Sequence, residues 1–292
     1  MSRRDSLTML GFGLAAAACG SAASGGDASD GGGGGLGGAG SSGTGGATAT
    51  GGAGSGSGGT VAASCDTSAG GWATAGTSCM TDVAEYPNPF GSLGSVCPAQ
   101  PEPTIGPCHT TSPLRVDVTN GLEGIPLRIA LRVVDADCQP IEGALVEIWH
   151  TDFQGGYSGD IVDMCTREEA DKQEDFMRGY QPTDADGVAY FNSCFPGWYQ
   201  GRAVHVHVRI LTTDYAAADN APAACITQLL WADDFVDEIF TSVPLYAQFG
   251  LPDTHLSNDN VVGGASDQSM FVFDVQQTSD GAMLCSKTIS IG

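Results

Sequence analysis

Valine and histidine alternate in one short stretch of the chain. Residues 195–210 read FPGWYQGRAVHVHVRI, so the valines fall on one face of an extended strand and His205 and His207 fall on the other. At about 3.4 Å per residue the two imidazoles stand about 7 Å apart along the strand, within reach of one metal ion. An amphipathic strand whose solvent-exposed face carries two histidines fits the same pattern, so the pair alone leaves both interpretations open.

The other apolar runs are short and are separated by polar turns. Two lie within LRIALRVVDADCQPIEGALVEIWHT (127–151), and two more are GVAYFNS (187–193) and MFVFDV (270–275). No run longer than about twelve residues keeps a helical period. Short helices are expected within REEADKQEDFMRGY (167–180) and ADDFVDEIF (232–240). The pattern predicts an all-β fold with short helices and long loops.

The front of the chain is typical of export and tethering. Residues 1–19 carry two arginines before an apolar run too short to span a bilayer, and they resemble a twin-arginine export signal. The run AAACG resembles a lipoprotein cleavage box and makes Cys19 a candidate for lipid attachment, with simple cleavage and secretion as the alternative. Residues 20–63, rich in Gly and Ser, predict a disordered flexible linker, which leaves one folded domain at 64–292.

Composition narrows the possible partners and the compartment. The chain has 34 acidic and 11 basic residues, a net charge of -23, and no basic patch for phosphates, so nucleic acid is excluded as a partner. Ten cysteines indicate an oxidising compartment. If Cys19 carries lipid, nine remain, so at least one is expected to be free or paired with another molecule. The spacing does not fix which cysteines pair.

Two tyrosines in glycine-rich turns add candidate metal ligands. Tyr157 lies in HTDFQGGYSGD, after a strand, and Tyr199 lies in FPGWYQGR, before the histidine strand. A tyrosine in a turn is usually a ring on the surface, but with His205 and His207 these residues make two phenols and two imidazoles. A free phenol has a pKa of about 10, so only a strong Lewis acid such as ferric iron holds it as phenolate at neutral pH.

These motifs resemble those of the intradiol ring-cleavage dioxygenases, above all their extracytoplasmic branch, which is related to the protocatechuate and catechol dioxygenases. The shared pattern is G-x-Y, then P-G-x-Y, then R-x-x-H-x-H, within a resemblance that covers roughly 97–285. The resemblance implies a β-sandwich core with a mononuclear non-haem Fe(III). It implies that the iron ligands are Tyr157, Tyr199, His205 and His207.

The resemblance also implies roles for residues around the iron. Arg202 matches the active-site arginine, whose cation would offset charge on the bound ring; a surface ion pair is the alternative. Tyr199 matches the ligand that leaves the metal and takes a substrate proton. Gln228 matches a glutamine that helps shape the pocket, and a purely structural role stays open. After GP, where relatives commonly carry an aromatic residue, this chain has Cys108 and His109.

The function implied is cleavage of a catechol-type aromatic diol by O2 to a cis,cis-muconate-type dicarboxylic acid, in an exported protein that meets a membrane only through lipid on Cys19. One alternative is a non-catalytic transthyretin-like β-sandwich binding module, which has no need for both tyrosines and the H-x-H motif. The other is a copper or zinc metalloprotein on the same fold, since imidazoles suit both metals. The sequence leaves the particular catechol and the oligomeric state open.

Overall fold

Two four-stranded sheets pack into a sandwich in the computed structural model, which describes residues 63–67, 71–216 and 222–292. The strands are β1 (Pro126–Val134), β2 (Leu145–Trp149), β3 (Arg178–Pro182), β4 (Val188–Cys194), β5 (His205–Leu211), β6 (Cys225–Leu230), β7 (Asp274–Gln277) and β8 (Met283–Ser290). The first sheet has the order β4-β1-β8-β7 and the second has the order β3-β2-β5-β6. Only β1 and β8 pair in parallel among these strands. The predicted all-β sandwich is confirmed.

Helices are short, as expected, but one predicted helix and one predicted strand differ. The helix expected within 232–240 is α1 (Asp233–Ser242), which is followed by α2 (Pro244–Ala247). Within 167–180 there is only a 3-10 turn followed by β3, which pairs with β2. The run 270–275 is not one strand, because the Asp267 side chain accepts a hydrogen bond from the Ser269 amide and starts a helical turn there. The 3-10 helices are Gly76–Cys79, Val83–Glu85, Asp163–Cys165, Glu169–Gln173 and Gln268–Phe271.

Alternate residues of both sheets fill the layer between them. Side chains of a strand point to opposite faces in turn, so every second residue of β1 and of β5 enters this layer. These residues are fully buried and belong to the largest apolar cluster: Leu127, Ile129, Leu131, Val133, Val206, Val208 and Ile210. The valines of β5 therefore face the layer between the sheets, on the side of the strand opposite the histidines.

The outer face of the second sheet is also buried, and loops cover it. His207 pairs with Trp149 of β2, and Arg209 pairs with Glu147, so these four side chains share one face with His205. All five are at most 3% exposed. The interpretation that the histidines lie on a solvent-exposed face is therefore wrong, since covering loops exclude water from both.

Three disulfides cross-link the described part of the chain: Cys65–Cys79, Cys97–Cys138 and Cys108–Cys165. Cys194, Cys225 and Cys285 are free and buried. The expectation that at least one cysteine is unpaired agrees with this set. Each free thiol lies in apolar surroundings, and burial raises its pKa, so none has the exposed thiolate character of a reactive cysteine.

The predicted export signal, Cys19 and nearly all of the Gly/Ser-rich linker lie outside the described residues. Within the described ranges, no helix combines the length and the apolar character that crossing a membrane requires.

Candidate metal centre and substrate pocket

Four side-chain donor atoms meet at one point on the outer face of the second sheet. The Tyr157 hydroxyl lies 3.2 Å from Nε2 of His205 and 3.2 Å from Nε2 of His207, and these two nitrogens are 3.1 Å apart. The Tyr199 hydroxyl lies 3.3 Å from His205 Nε2 and 3.5 Å from the Tyr157 hydroxyl. The fold thus brings together all four residues that the sequence predicts as metal ligands.

The spacing of these atoms shows whether one ion fits between them. A regular tetrahedron with edges of about 3.3 Å has its centre about 2.0 Å from each corner, the length of metal–nitrogen and metal–oxygen bonds in proteins. Five of the six donor pairs lie 3.1–3.5 Å apart, close to such edges. Among the described residues, no three His, Cys, Asp or Glu side chains are grouped to hold a metal, so the tyrosine oxygens complete the set.

Neighbouring groups orient both histidine rings, and for His205 they also fix which ring nitrogen carries the proton. His205 Nδ1 lies 2.6 Å from the Ala203 carbonyl oxygen, which can only accept, so Nδ1 carries the proton and the Nε2 lone pair faces the site. The His207 ring stacks on Trp149 with centroids 4.7 Å apart. Burial lowers the pKa of His205 to about 3 and the pKa of His207 well below its usual value. Both imidazoles are therefore neutral at physiological pH.

The two phenols stay protonated in this environment unless a cation is present. Burial raises the pKa of Tyr157 well above its usual value and also raises the pKa of Tyr199. The Arg202 guanidinium lowers the pKa of both tyrosines, and Arg178 lowers the pKa of Tyr157. Burial has the larger effect on both. A phenolate here requires a strong Lewis acid at the point where the four donors meet.

Arg202 lies beside this cluster in a fixed orientation. Its Nε donates to Asp259 Oδ2 at 2.9 Å, and its Nη2 donates to Gln228 Oε1. The Asp259 carboxylate is itself held by the backbone amides of Ala203, at 2.9 Å, and Val261, at 2.8 Å. Arg202 does form an ion pair, as the alternative interpretation held, but the pair lies at the candidate site and not on open surface, because Asp259 is 3% exposed.

A cavity of about 580 Å³ opens beside the donor cluster. Tyr157, Tyr199, His207 and Arg202 line it, together with residues from loops that include 104–108 and 164–167. Its volume falls in the range of small-molecule sites, about 300–1,000 Å³. A ligand in the cavity would therefore contact the point where the donor atoms meet and the Arg202 guanidinium.

Both charged residues that line the cavity are basic. Arg167 and Arg202 are the charged residues that line it, in a chain whose net charge is -23. His205 and Gln228 are not part of the wall; Gln228 lies behind it, where its Nε2 donates to the Thr104 carbonyl at 3.1 Å. Gln228 therefore supports Arg202 and one loop of the cavity without facing the ligand space itself.

Sequence reasoning did not find several residues of this site. Asp259, the partner of Arg202, follows it by 57 positions and lies in no recognisable motif. Arg178, which is 1% exposed, donates through Nη2 to the Ser158 carbonyl next to Tyr157. Trp149 could have been found, because it ends the strand that precedes the first tyrosine and strand pairing places it beside His207.

The β-sandwich thus brings two tyrosines and two histidines together at one point, beside an arginine-lined cavity of the size of a small-molecule site. The family model described as "Dioxygenase" matches residues 105–286, well over half of the chain. The chain belongs to the intradiol ring-cleavage dioxygenases. It is therefore an enzyme of that class, and the binding-module alternative is overturned.

Three solved dioxygenase structures are similar to this chain. The intradiol ring-cleavage dioxygenase from Tetranychus urticae is 26% identical, with a TM-score of 0.56 over 66% of this chain and 94% of its own. A second dioxygenase crystal structure is 27% identical, with a TM-score of 0.55 over 66% of this chain and 94% of its own. The dioxygenase domain of a carbohydrate-binding fusion protein from Streptomyces sp. SirexAA-E is 23% identical, with a TM-score of 0.46 over 66% of this chain and 97% of its own. No curated protein sequence matches this chain significantly.

Proposed function

We propose that the protein binds one ferric ion through Tyr157, Tyr199, His205 and His207 and cleaves a catechol-type diol with O2. The product is a cis,cis-muconate-type dicarboxylic acid, cut between the two hydroxyl-bearing carbons. The observation that carries the proposal is the meeting of two phenol oxygens and two imidazole nitrogens at one point, with five of their six pairs 3.1–3.5 Å apart. Hard anionic phenolates favour Fe(III) over softer ions.

The proposed role of each side chain follows from how deeply it is buried. Ferric iron, when bound, accepts electron density from the bound diol and so activates the ring toward O2. Tyr157, His205 and His207 are at most 3% exposed and serve as fixed ligands. Tyr199 is partly exposed and lines the cavity, which gives it access to a substrate hydroxyl proton.

Arg202 acts on the substrate side of the site. A diol that has lost its protons carries negative charge, and a cation fixed in a buried site stabilises that charge without reorganising. Asp259 and Gln228 keep the guanidinium in place, since both bond to it from behind. Arg202 therefore lowers the energy of the charged ring and is not needed to hold the metal.

The test begins with the metal. Full-length purified protein is expected to contain one iron per chain by elemental analysis and to absorb visible light through phenolate-to-Fe(III) charge transfer. Oxygen uptake is then measured with a panel of catechols, and the product is identified by mass spectrometry. Stoichiometric zinc or copper in place of iron would establish the metalloprotein alternative. A yellow semialdehyde, cut beside the diol, would overturn the proposed regiochemistry.

We also propose that the protein is exported and anchored by lipid on Cys19. The supporting features are the twin-arginine-like segment, the small-residue box before Cys19 and the Gly/Ser-rich run that follows. Cys19→Ser, or blocking lipoprotein signal peptidase with globomycin, is expected to stop maturation and release the protein from membranes. Soluble extracytoplasmic wild-type protein would favour simple secretion.

A further inference from the structure

Two loops border the cavity, and one disulfide joins them. Cys108 ends the loop 104–108 and Cys165 begins the segment 165–167, and both line the cavity. The two sulfurs are buried with their residues, at 7% and 6% exposure. Of the three disulfides in the described chain, this is the one whose cysteines lie in the cavity wall.

The disulfide lies directly against one candidate iron ligand. Cys108, Cys165, Tyr157 and Trp149 form one buried apolar cluster. The backbone amide of Tyr157 also donates to the Cys165 carbonyl at 2.9 Å. Any shift of Cys165 therefore moves the backbone that carries the Tyr157 phenol.

The loop on the other side of the disulfide lies against a second candidate ligand. Gly106 has a φ of +78°, and a Cβ there would stand 3.2 Å from His207 Cε1, so the backbone rests on the imidazole. The Thr104 carbonyl accepts from Gln228 at 3.1 Å. Loop 104–108 thus begins at Gln228, which also contacts Arg202, then passes over His207 and ends at the disulfide.

Backbone pairing does not hold this loop in place. No backbone–backbone hydrogen bond joins residues 104–108 to a strand or to another described loop. The attachments are side chains, such as Arg178 Nη2 donating to the Cys108 carbonyl at 3.4 Å, together with the disulfide itself. A loop that is not hydrogen-bonded to a strand through its backbone depends on its few other contacts for its position.

We propose that the Cys108–Cys165 disulfide is a positioning element of the active site. It holds loop 104–108 over His207 and fixes the segment that anchors Tyr157, so that the metal ligands and the cavity wall keep one arrangement. This inference rests on the proposed ferric function. The sandwich itself does not depend on this cross-link, because its core lies on the opposite face of the second sheet.

A matched pair of variants tests the proposal in the full-length iron-loaded protein. Cys108→Ser/Cys165→Ser removes the cavity disulfide, and Cys97→Ser/Cys138→Ser removes one that does not line the cavity. Their sequence separations, 57 and 41, predict similar losses of thermal stability. The cavity variant is expected to release iron to a chelator about tenfold faster and to show an altered visible band. Its KM for catechol is expected to rise about tenfold, with the control variant within about twofold of wild type.

The outcomes separate this inference from the proposed function. Wild-type protein without iron or turnover would overturn the proposed function and this inference with it. Wild-type protein that is coloured and active, with equal iron release and KM in both variants, would overturn the positioning role alone.

If the cavity variant does not fold, graded reduction of the wild-type protein gives the same answer. Each disulfide's cleavage is mapped by alkylation and peptide mass, the reagents are removed, iron is restored, and iron release and KM are measured. Changes that follow opening of Cys108–Cys165 support the proposal. Changes that follow opening of Cys97–Cys138, or no change after Cys108–Cys165 opens, contradict it.

Discussion

Strand β5 is buried on both faces, but the two faces are buried by different means. Its inner face presents Val206, Val208 and Ile210 to a second sheet, and the apolar surfaces pack directly. Its outer face presents His205 and His207, covered by loops without regular pairing. The inner face stabilises the fold by removing apolar area from water, whereas the outer face buries polar groups, whose burial costs free energy unless they find partners.

The histidines of the two layers show the difference clearly. His150, between the sheets, has both ring nitrogens paired within the protein: Nδ1 with the Thr151 carbonyl at 2.8 Å and Nε2 with Ser193 at 2.7 Å. On the outer face, His205 and His207 turn their Nε2 atoms toward each other and toward two phenols. A structural histidine is satisfied by the chain, while these two converge on a space that suits a cation.

The largest contrast is expected between neighbours on β5. His207→Ala removes a donor atom and should abolish iron binding and turnover. Val206→Ala, one residue away on the inner face, should keep iron but lower the free energy of unfolding by about 2 kcal/mol. Elemental analysis and urea unfolding measure both. Retention of stoichiometric iron by His207→Ala would contradict the ligand set.

Acid should destabilise the inner layer through His150. Burial lowers its folded-state pKa to about 4. The unfolded value is about 6.5, so between these pH values the unfolded chain binds the proton first and stability falls as the pH drops. The difference amounts to about 3 kcal/mol of unfolding free energy. Urea unfolding of metal-free protein at several pH values should show this loss in wild type. The His150→Gln variant should lose correspondingly less, and equal losses would rule out His150 as the source.

Arg202→Ala should slow turnover by about 100-fold, since it removes a fixed charge that acts on the substrate. Its iron content should stay near one per chain, because Arg202 is not among the converging donor atoms. Asp259→Asn serves as a control: Arg202 stays but loses its carboxylate partner, and an intermediate rate is expected. Full turnover in Arg202→Ala protein that retains iron would remove the role assigned to this residue.

The smallest contrast compares two buried tyrosines. Tyr246, in the inner layer, donates to the Phe195 carbonyl at 2.7 Å and accepts from the Ile125 amide at 3.1 Å. Tyr246→Phe leaves both groups unpaired and should cost about 2 kcal/mol of stability with an unchanged visible spectrum. Tyr157→Phe should shift or bleach the visible band with little loss of stability. Identical spectra for the two variants would contradict the assignment of Tyr157 as a phenolate ligand.

The inner face and the convergence of the four candidate metal ligands could be predicted from the sequence for different reasons. Valines at alternate positions have one arrangement in a strand, so the face that contains Val206 and Val208 follows from local pattern. Three of the four candidate ligands, Tyr199, His205 and His207, lie within nine residues of one another in the sequence. Tyr157 was found through the motif that the chain shares with its family, and not through spacing.

Contacts between distant segments could not be predicted. Asp259 meets Arg202 only after the loop following α1 and α2 folds back over the second sheet. The pairing of Cys108 with Cys165 was one of many that the cysteine count allows. The run 270–275 alternates like a strand, but a local side-chain bond from Asp267 competes with the sheet at its start.

The parallel pairing of β1 with β8 has a kinetic consequence. Leu127 pairs with Met283, so β1 obtains one of its two neighbours from a strand more than half the chain length away. Closing so long a loop is slow, since its entropy must be lost before the new contacts form. Until β8 arrives, one edge of β1 offers unpaired amides and carbonyls to any other chain. The yield of folded protein therefore depends on how long this edge of β1 stays unpaired. That time is set by the folding rate and not only by the stability of the folded sandwich.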